Sequence, residues 1–223
     1  MNLQSPKRII VKKDGPVQAS FEITKKLTYT AIENGVEIQK PIEILYKSKP
    51  VNQYEAIVEA PKVTAENVDS YHKFQGLINH CNNNAETLNS QLRDFLLTVK
   101  ELKQSHEEIM AMDFMGLRDV FSDFLKKYSV LKNEELFNTN AKVKEITSTF
   151  HRYISDRNIY THGSLKLRFP DEIFVIQYIE NKRAIVRAEL SIEILKSNLD
   201  VSNQLMKIIT TVNNLYNNVK TLL

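Results

Sequence analysis

Apolar side chains change their spacing along this chain. Over residues 1–62 they alternate or fall in short β-branched runs, and from Thr64 they step by three and four. In the first section Arg8-Ile9-Ile10-Val11-Lys12-Lys13 precedes a turn at Asp14-Gly15-Pro16. Phe21, Ile23, Leu27 and Tyr29 lie on alternating strand faces. Asn34-Gly35, set between apolar alternations, predicts a two-residue hairpin. Pro41 is read as an interruption, after which Ile42, Ile44 and Tyr46 alternate again. Another short run, Ala56 to Val58, is bracketed by Pro50 and Pro61.

Thr64 is a candidate N-cap, with Glu66 in the first helical turn. Tyr71, Phe74, Ile78, Cys81, Ala85, Leu88, Leu92, Phe95, Val99 and Leu102 then form one heptad seam, which continues to Ile109. A single helix of about 45 residues and about 68 Å follows from that seam. Asn82-Asn83-Asn84 is the place where it would break or bend. Asp113 is a candidate cap for a second helix, whose broad apolar face is Leu117, Val120, Phe121, Phe124, Leu125 and Tyr128. A third helix is expected from about Asn133-Glu134. Its stripe of Val143, Ile146, Phe150 and Tyr153 keeps three-four spacing, and the next position in that series is Arg157. A charge that continues an apolar stripe needs a partner or a groove.

Past Gly163 the spacing returns to two. Ile173–Ile179 and Ala184–Ala188 predict a β-hairpin at about residues 172–189, turned at Glu180-Asn181-Lys182. Leu165, Leu167 and Phe169 either prolong the preceding helix or add a strand. A last helix is expected from about Ser191 to Leu222, with Ile192, Leu195, Leu199, Leu205, Ile208, Ile209, Val212, Leu215 and Val219 on its core face. Its asparagines, Asn198 among them, read as solvated surface. The pattern predicts a mainly α fold: a long-helix four-helix bundle over 63–223, preceded by a β-rich N-terminal section over 1–62 and carrying a β-hairpin insertion before the last helix.

Composition narrows the picture. Five of the six prolines fall within the first 61 residues, which separates that section from the helical body. The net charge is +3 and comes from residues 1–62; residues 63–223 carry twenty Lys+Arg and twenty Asp+Glu. That balance excludes a chain that binds nucleic acid over its whole surface, so any RNA contact is local. The lysines of the first section read as edge-strand solvation. Cys81 is the single cysteine, so no disulfide within the chain is possible. With no signal-peptide h-region and no apolar run near a membrane span, a soluble cytoplasmic protein is expected. The five histidines show no metal-ligand spacing, and no Gly-rich phosphate loop is present, so neither metal nor cofactor is expected. Tyr153 and Tyr160 read as core or rim, and Arg152, four before Asp156, reads as half of a helix-surface ion pair.

One stretch carries chemistry: Asp156-Arg157-Asn158-Ile159-Tyr160-Thr161-His162-Gly163. Its R-N-x-x-x-H pattern resembles the signature of the HEPN superfamily, matched by Arg157, Asn158 and His162 across a similarity that covers roughly residues 64 to 222. The resemblance implies a four-helix domain and a metal-independent endoribonuclease, as in toxin–antitoxin or antiviral defence systems. It implies that Arg157 stabilises the phosphate, that His162 moves the proton of the 2′-hydroxyl, and that Asn158 orients them. It also implies RNA as substrate, a homodimer whose two motifs line one groove, and an antitoxin protein as a possible partner. The residue types suit that chemistry: His titrates near neutrality, Arg stays charged and grips two phosphate oxygens, and Asn donates and accepts. Two further readings stand beside it. Arg and His near a helix C-terminus meet the negative end of the helix dipole, and Gly163 is a suitable C-cap. The alternative function is a non-catalytic helical dimerisation or protein-interaction module, with Arg157 and His162 as a polar anchor. In a straight helix five residues turn the chain through about 140°, so convergence of Arg157 and His162 asks for a helix end near Thr161, a reaching Arg, or a groove between two subunits.

Overall fold

A computed structural model describes residues 1–11, 22–47, 60–180 and 184–220. Among these the order of elements is β1 (Lys7–Val11), β2 (Glu22–Glu33), β3 (Val36–Lys47), α1 (Ala65–Thr98), α2 (His106–Ala111), α3 (Phe114–Lys127), a 3₁₀ turn (Ser129–Asn133), α4 (Asn140–His162), β4 (Ser164–Arg168), β5 (Ile173–Glu180), β6 (Ala184–Glu189) and α5 (Ile192–Lys220). No helix of the described residues is long and apolar enough to cross a membrane.

The expected mainly α four-helix bundle with small β additions is overturned. All six strands join one mixed sheet in the order β1-β6-β5-β4-β3-β2. The two β sections that pattern alone treats as separate share it, for a reason of strand edges. An unpaired edge leaves a row of backbone donors and acceptors. Ile44 and Leu45 on β3 supply that edge to Leu167 and Arg168 on β4, in parallel, although the two segments lie over 120 residues apart in sequence. At the other side β1 pairs antiparallel with β6, with Ile9 opposite Arg187.

The chain forms two compact units, each assembled from separated segments. The sheet unit comprises Pro6–Asn79 and Ile159–Ile192. Its hairpin turn is the one the sequence predicts: Asn34 and Gly35 adopt φ of 52° and 79°, and Glu33 stands opposite Val36. Pro41 does not interrupt the strand. The ladder continues through Thr28 opposite Pro41, and β4 joins β3 only from Ile44, so the missing N–H of Pro41 costs no bond to β4. Leu165, Leu167 and Phe169 belong to a strand and its following turn rather than to a longer helix. The hairpin of β5 and β6 is present, with Ile179 opposite Ile185. One sheet face packs on the first half of α1: the Phe74 and Phe174 rings stack at 4.2 Å, and the Tyr71 hydroxyl donates to the Leu165 carbonyl at 3.0 Å. The start of α1 is fixed by reciprocal bonds between Thr64 and Asn67, so Thr64 is the N-cap.

The other sheet face carries charge. Arg187 on β6 donates to both carboxylate oxygens of Glu22 on β2, each at 2.6 Å, and its Nε donates to Gln177 at 3.1 Å. These strands stand four places apart in the sheet order, about 19 Å in a flat sheet. The sheet therefore curls until the two side chains meet. Lys166, only 6% exposed at its side chain, is answered by Glu43 at 2.9 Å, and Arg168 by Asp171 and Glu189. Buried charges are tolerated here because each has an opposite charge in bonding range.

The helical unit comprises Met1–Ser5, His80–Asn158 and Glu193–Leu223. The expected 45-residue helix ends at Thr98, and α2 starts afresh behind a capping box of Ser105 and Glu108. Asn82-Asn83-Asn84 causes no break in α1; Asn84 instead donates to the Ser202 hydroxyl at 3.1 Å. Asp113 caps α3 by accepting from the Gly116 N–H at 2.7 Å. The third long helix begins at Asn140 rather than near Asn133, with the Thr139 hydroxyl accepting from the Lys142 N–H. The core of this unit holds the expected stripe of Val143, Ile146, Phe150 and Tyr153, together with Leu92, Phe121, Leu205 and Val212.

Gly163 follows α4 directly. It is required by space, since a Cβ there would lie 1.9 Å from Cγ2 of Ile176 and 2.8 Å from the Ile159 carbonyl oxygen. Gly163→Ala is predicted to lower stability by about 1–3 kcal/mol, read as a shift in the urea midpoint; an unchanged midpoint would contradict this close approach. The sheet clasp gives a pH prediction. The Arg187 guanidinium bonded to Glu22 holds that carboxyl below its ordinary value of 4.5. A lowered carboxyl contributes stability that is full above the unfolded value and is lost as pH falls through the folded one. Glu22→Gln is therefore predicted to weaken the loss of stability between about pH 5 and about pH 3, measured by urea denaturation across that range. Parallel curves for variant and parent would overturn the assignment.

Candidate functional site

α4 carries all three motif residues and is unbroken from Asn140 to His162. The helix end that the sequence asks for near Thr161 is present, one residue further on at His162. Arg157 and Asn158 lie in the helical unit, and His162 is the last helical residue before β4, in the sheet unit. Asn158 and His162 are exposed. Tyr153 and Tyr160 are both buried, as core positions.

The stripe that holds α4 in its core reaches Arg157 after Tyr153, and the charge there is answered from α1. Its Nη2 forms an ion pair with Oε1 of Glu86. Its Nη1 donates to Oδ1 of Asn158 at 3.4 Å, so the adjacent motif amide helps to orient the guanidinium. The pair with Glu86 is lopsided: the Arg157 side chain is 19% exposed and that of Glu86 is 60% exposed. An ion pair with one partner that open to water is worth about 0–1 kcal/mol. A phosphate, which offers more charge and more acceptor oxygens, can replace such a carboxylate at little cost. Glu86 also lines a groove of 690 Å³ between α1 and α5, together with Thr87, Gln91, Asp94, Phe95 and Asn213.

Other residues around the motif depart from the sequence reading. Asp156 is 2% exposed and accepts from the Ser5 hydroxyl at 2.6 Å. It does not form the surface pair with Arg152 that their spacing suggests; Arg152 is exposed and makes no ion pair among the described residues. Asn198 is not solvated surface. It is 1% exposed, beside Ser202 on the next turn of α5. Cys81 is likewise buried, and its thiol donates to the Leu195 carbonyl at 3.6 Å. Burial pushes that thiol up to about 12, which makes it a poor nucleophile and a poor metal ligand at neutral pH. No group of three or more His, Cys, Asp or Glu among the described residues could hold a metal ion.

Glu86 and Ser5 are the participants that sequence reasoning did not find. Glu86 lies 71 positions from Arg157 and Ser5 lies 151 positions from Asp156, so no local spacing links either pair. Only the charge at the end of the α4 stripe signalled that some partner was needed. Comparison of the chain with protein-family models, with curated proteins and with solved structures found no match.

Proposed function

We propose that this chain is a metal-independent endoribonuclease of the HEPN kind, with a role in toxin–antitoxin or antiviral defence systems. The observation that carries the reading is the R-N-x-x-x-H motif at the end of α4, with Asn158 and His162 open to solvent and Arg157 held by a weak, replaceable pair. In the reaction the 2′-oxygen of RNA attacks the adjacent phosphorus while His162 takes its proton. The bond from phosphorus to the 5′-oxygen breaks, that oxygen takes a proton from water, and His162 returns its own proton to the hydroxide left behind. The products are a 2′,3′-cyclic phosphate and a 5′-hydroxyl. Arg157 exchanges Glu86 for the phosphate and steadies the charge on its crowded oxygens. Asn158 orients the guanidinium. The motifs of two protomers would line one groove in a homodimer, and an antitoxin protein would be the natural restraint on such an activity.

A second reading is favoured by one observation. Arg157 already has an ion-pair partner within its own chain, as a structural anchor would. In that case the chain is a non-catalytic interaction module.

The two readings separate in a cleavage assay with RNA in EDTA. The folded parent is compared with Arg157→Ala and His162→Ala, each checked for fold and oligomeric state. Loss of about 10²–10⁴-fold is predicted for His162→Ala and of about 10²–10³-fold for Arg157→Ala. A folded parent that cleaves nothing would leave the interaction module as the reading; variants as active as a cleaving parent would remove Arg157 and His162 from the chemistry.

A further inference from the structure

The helical body has balanced charge, yet its cations are not evenly spread. A shallow groove of 510 Å³ between α3 and α4 is lined by Arg118, Lys144, Thr147, Ser148, His151 and Arg152. No carboxylate among the described residues lines it. The nearest counter-charge is Asp119, which pairs with Arg118 at 2.9 Å. Lys144 and Arg152 are exposed and make no ion pair among the described residues. Arg118 is fixed in place, its Nη2 donating to Nδ1 of His151 at 2.9 Å. A guanidinium cannot accept, so Nδ1 accepts and the other ring nitrogen carries the donor hydrogen. The Thr147 and Ser148 hydroxyls donate back to the Lys144 and Glu145 carbonyls, which leaves Lys144 and Arg152 as the groove's unpaired cations among the described residues.

The groove also has a direction. Lys144, His151 and Asn158 are spaced by seven along one unbroken helix, a rotation of only about 20° per step. They form one stripe of about 21 Å that ends at the motif amide. A shallow groove with Lys144, Arg152 and Arg118 beside a stripe of that length suits a charged polymer better than a small anion.

We infer that the α3–α4 groove is a docking track for the phosphate backbone of single-stranded RNA, in which Lys144, Arg152, Arg118 and His151 receive successive phosphates on the way to Asn158. The track rests on the reading of the chain as an RNA-acting protein, and it names the surface that would present the strand. Recognition is by charge and is independent of base sequence.

The test is fluorescence anisotropy with a labelled single-stranded RNA over a salt series, in a His162→Ala background so that binding is read without cleavage. Lys144→Gln with Arg152→Gln is compared with Lys196→Gln and Lys207→Gln, two exposed α5 lysines that give the same change in net charge. The expected result is a loss of about tenfold or more in affinity for the groove pair. Its slope of log affinity against log salt should fall by about 1.4, because each lost phosphate contact on a single strand removes about 0.7. The α5 pair should stay within about twofold of the parent. Equal losses in both pairs, no loss in the groove pair, or no binding of RNA by the parent would each overturn the track. So would groove-dependent binding of inorganic phosphate, or of phosphatidylserine vesicles, without binding of RNA. Track-dependent binding by a protein that cleaves nothing would sink the nuclease reading alone; cleavage with affinity indifferent to Lys144 and Arg152 would sink the track alone.

Discussion

The helical unit depends on one stripe of α4. Val143, Ile146, Phe150 and Tyr153 are buried there in register, and they bring Arg157 to the edge of the same core. A guanidinium in that position needs an acceptor, and Glu86 supplies one. The balance of this contact matters more than its presence. A pair with both partners buried would cost several kcal/mol to break. A pair whose carboxylate is mostly in water is worth about 0–1 kcal/mol. The fold thus fixes the backbone beneath Arg157 strongly and its pair with Glu86 weakly.

The sheet unit shows a different constraint. Its strands come from two stretches that lie far apart in sequence, and each stretch alone would leave open edges. Pairing β3 with β4 closes one of these, and curling the sheet lets Glu22 meet Arg187. The junction at Gly163 serves the same assembly. Only a residue without a side chain lets the chain pass Ile176 between the end of α4 and the start of β4. His162 is therefore placed by a packing requirement one residue away.

Local signals were legible in the sequence, and contacts over long separations were not. The Asn34-Gly35 turn, the caps at Thr64 and Asp113, the α4 stripe and the β5–β6 hairpin all rest on neighbours within a few residues, and each is present. The four-helix plan failed because strand patterns do not say which edges will find each other across 120 residues. The seam from Tyr71 to Ile109 predicts one helix because α2 continues its spacing, although Ser105 and Glu108 mark a new start. Asn198 is buried where composition predicts solvated surface, because asparagine content says nothing about the face on which one member falls. For the site, the charged end of the stripe was legible and its partner Glu86 was not.

In the proposed reaction Arg157 and His162 direct the 2′-hydroxyl of RNA onto its own phosphate. The most direct measurement is mass spectrometry of the products from a short RNA of defined sequence, in EDTA, beside the same RNA with a single 2′-deoxy substitution at the cut. The proposed reaction gives a 2′,3′-cyclic phosphate and a 5′-hydroxyl from the first RNA, and no cut at the substituted position in the second. A 5′-phosphate end, or cleavage that ignores the missing hydroxyl, would contradict it.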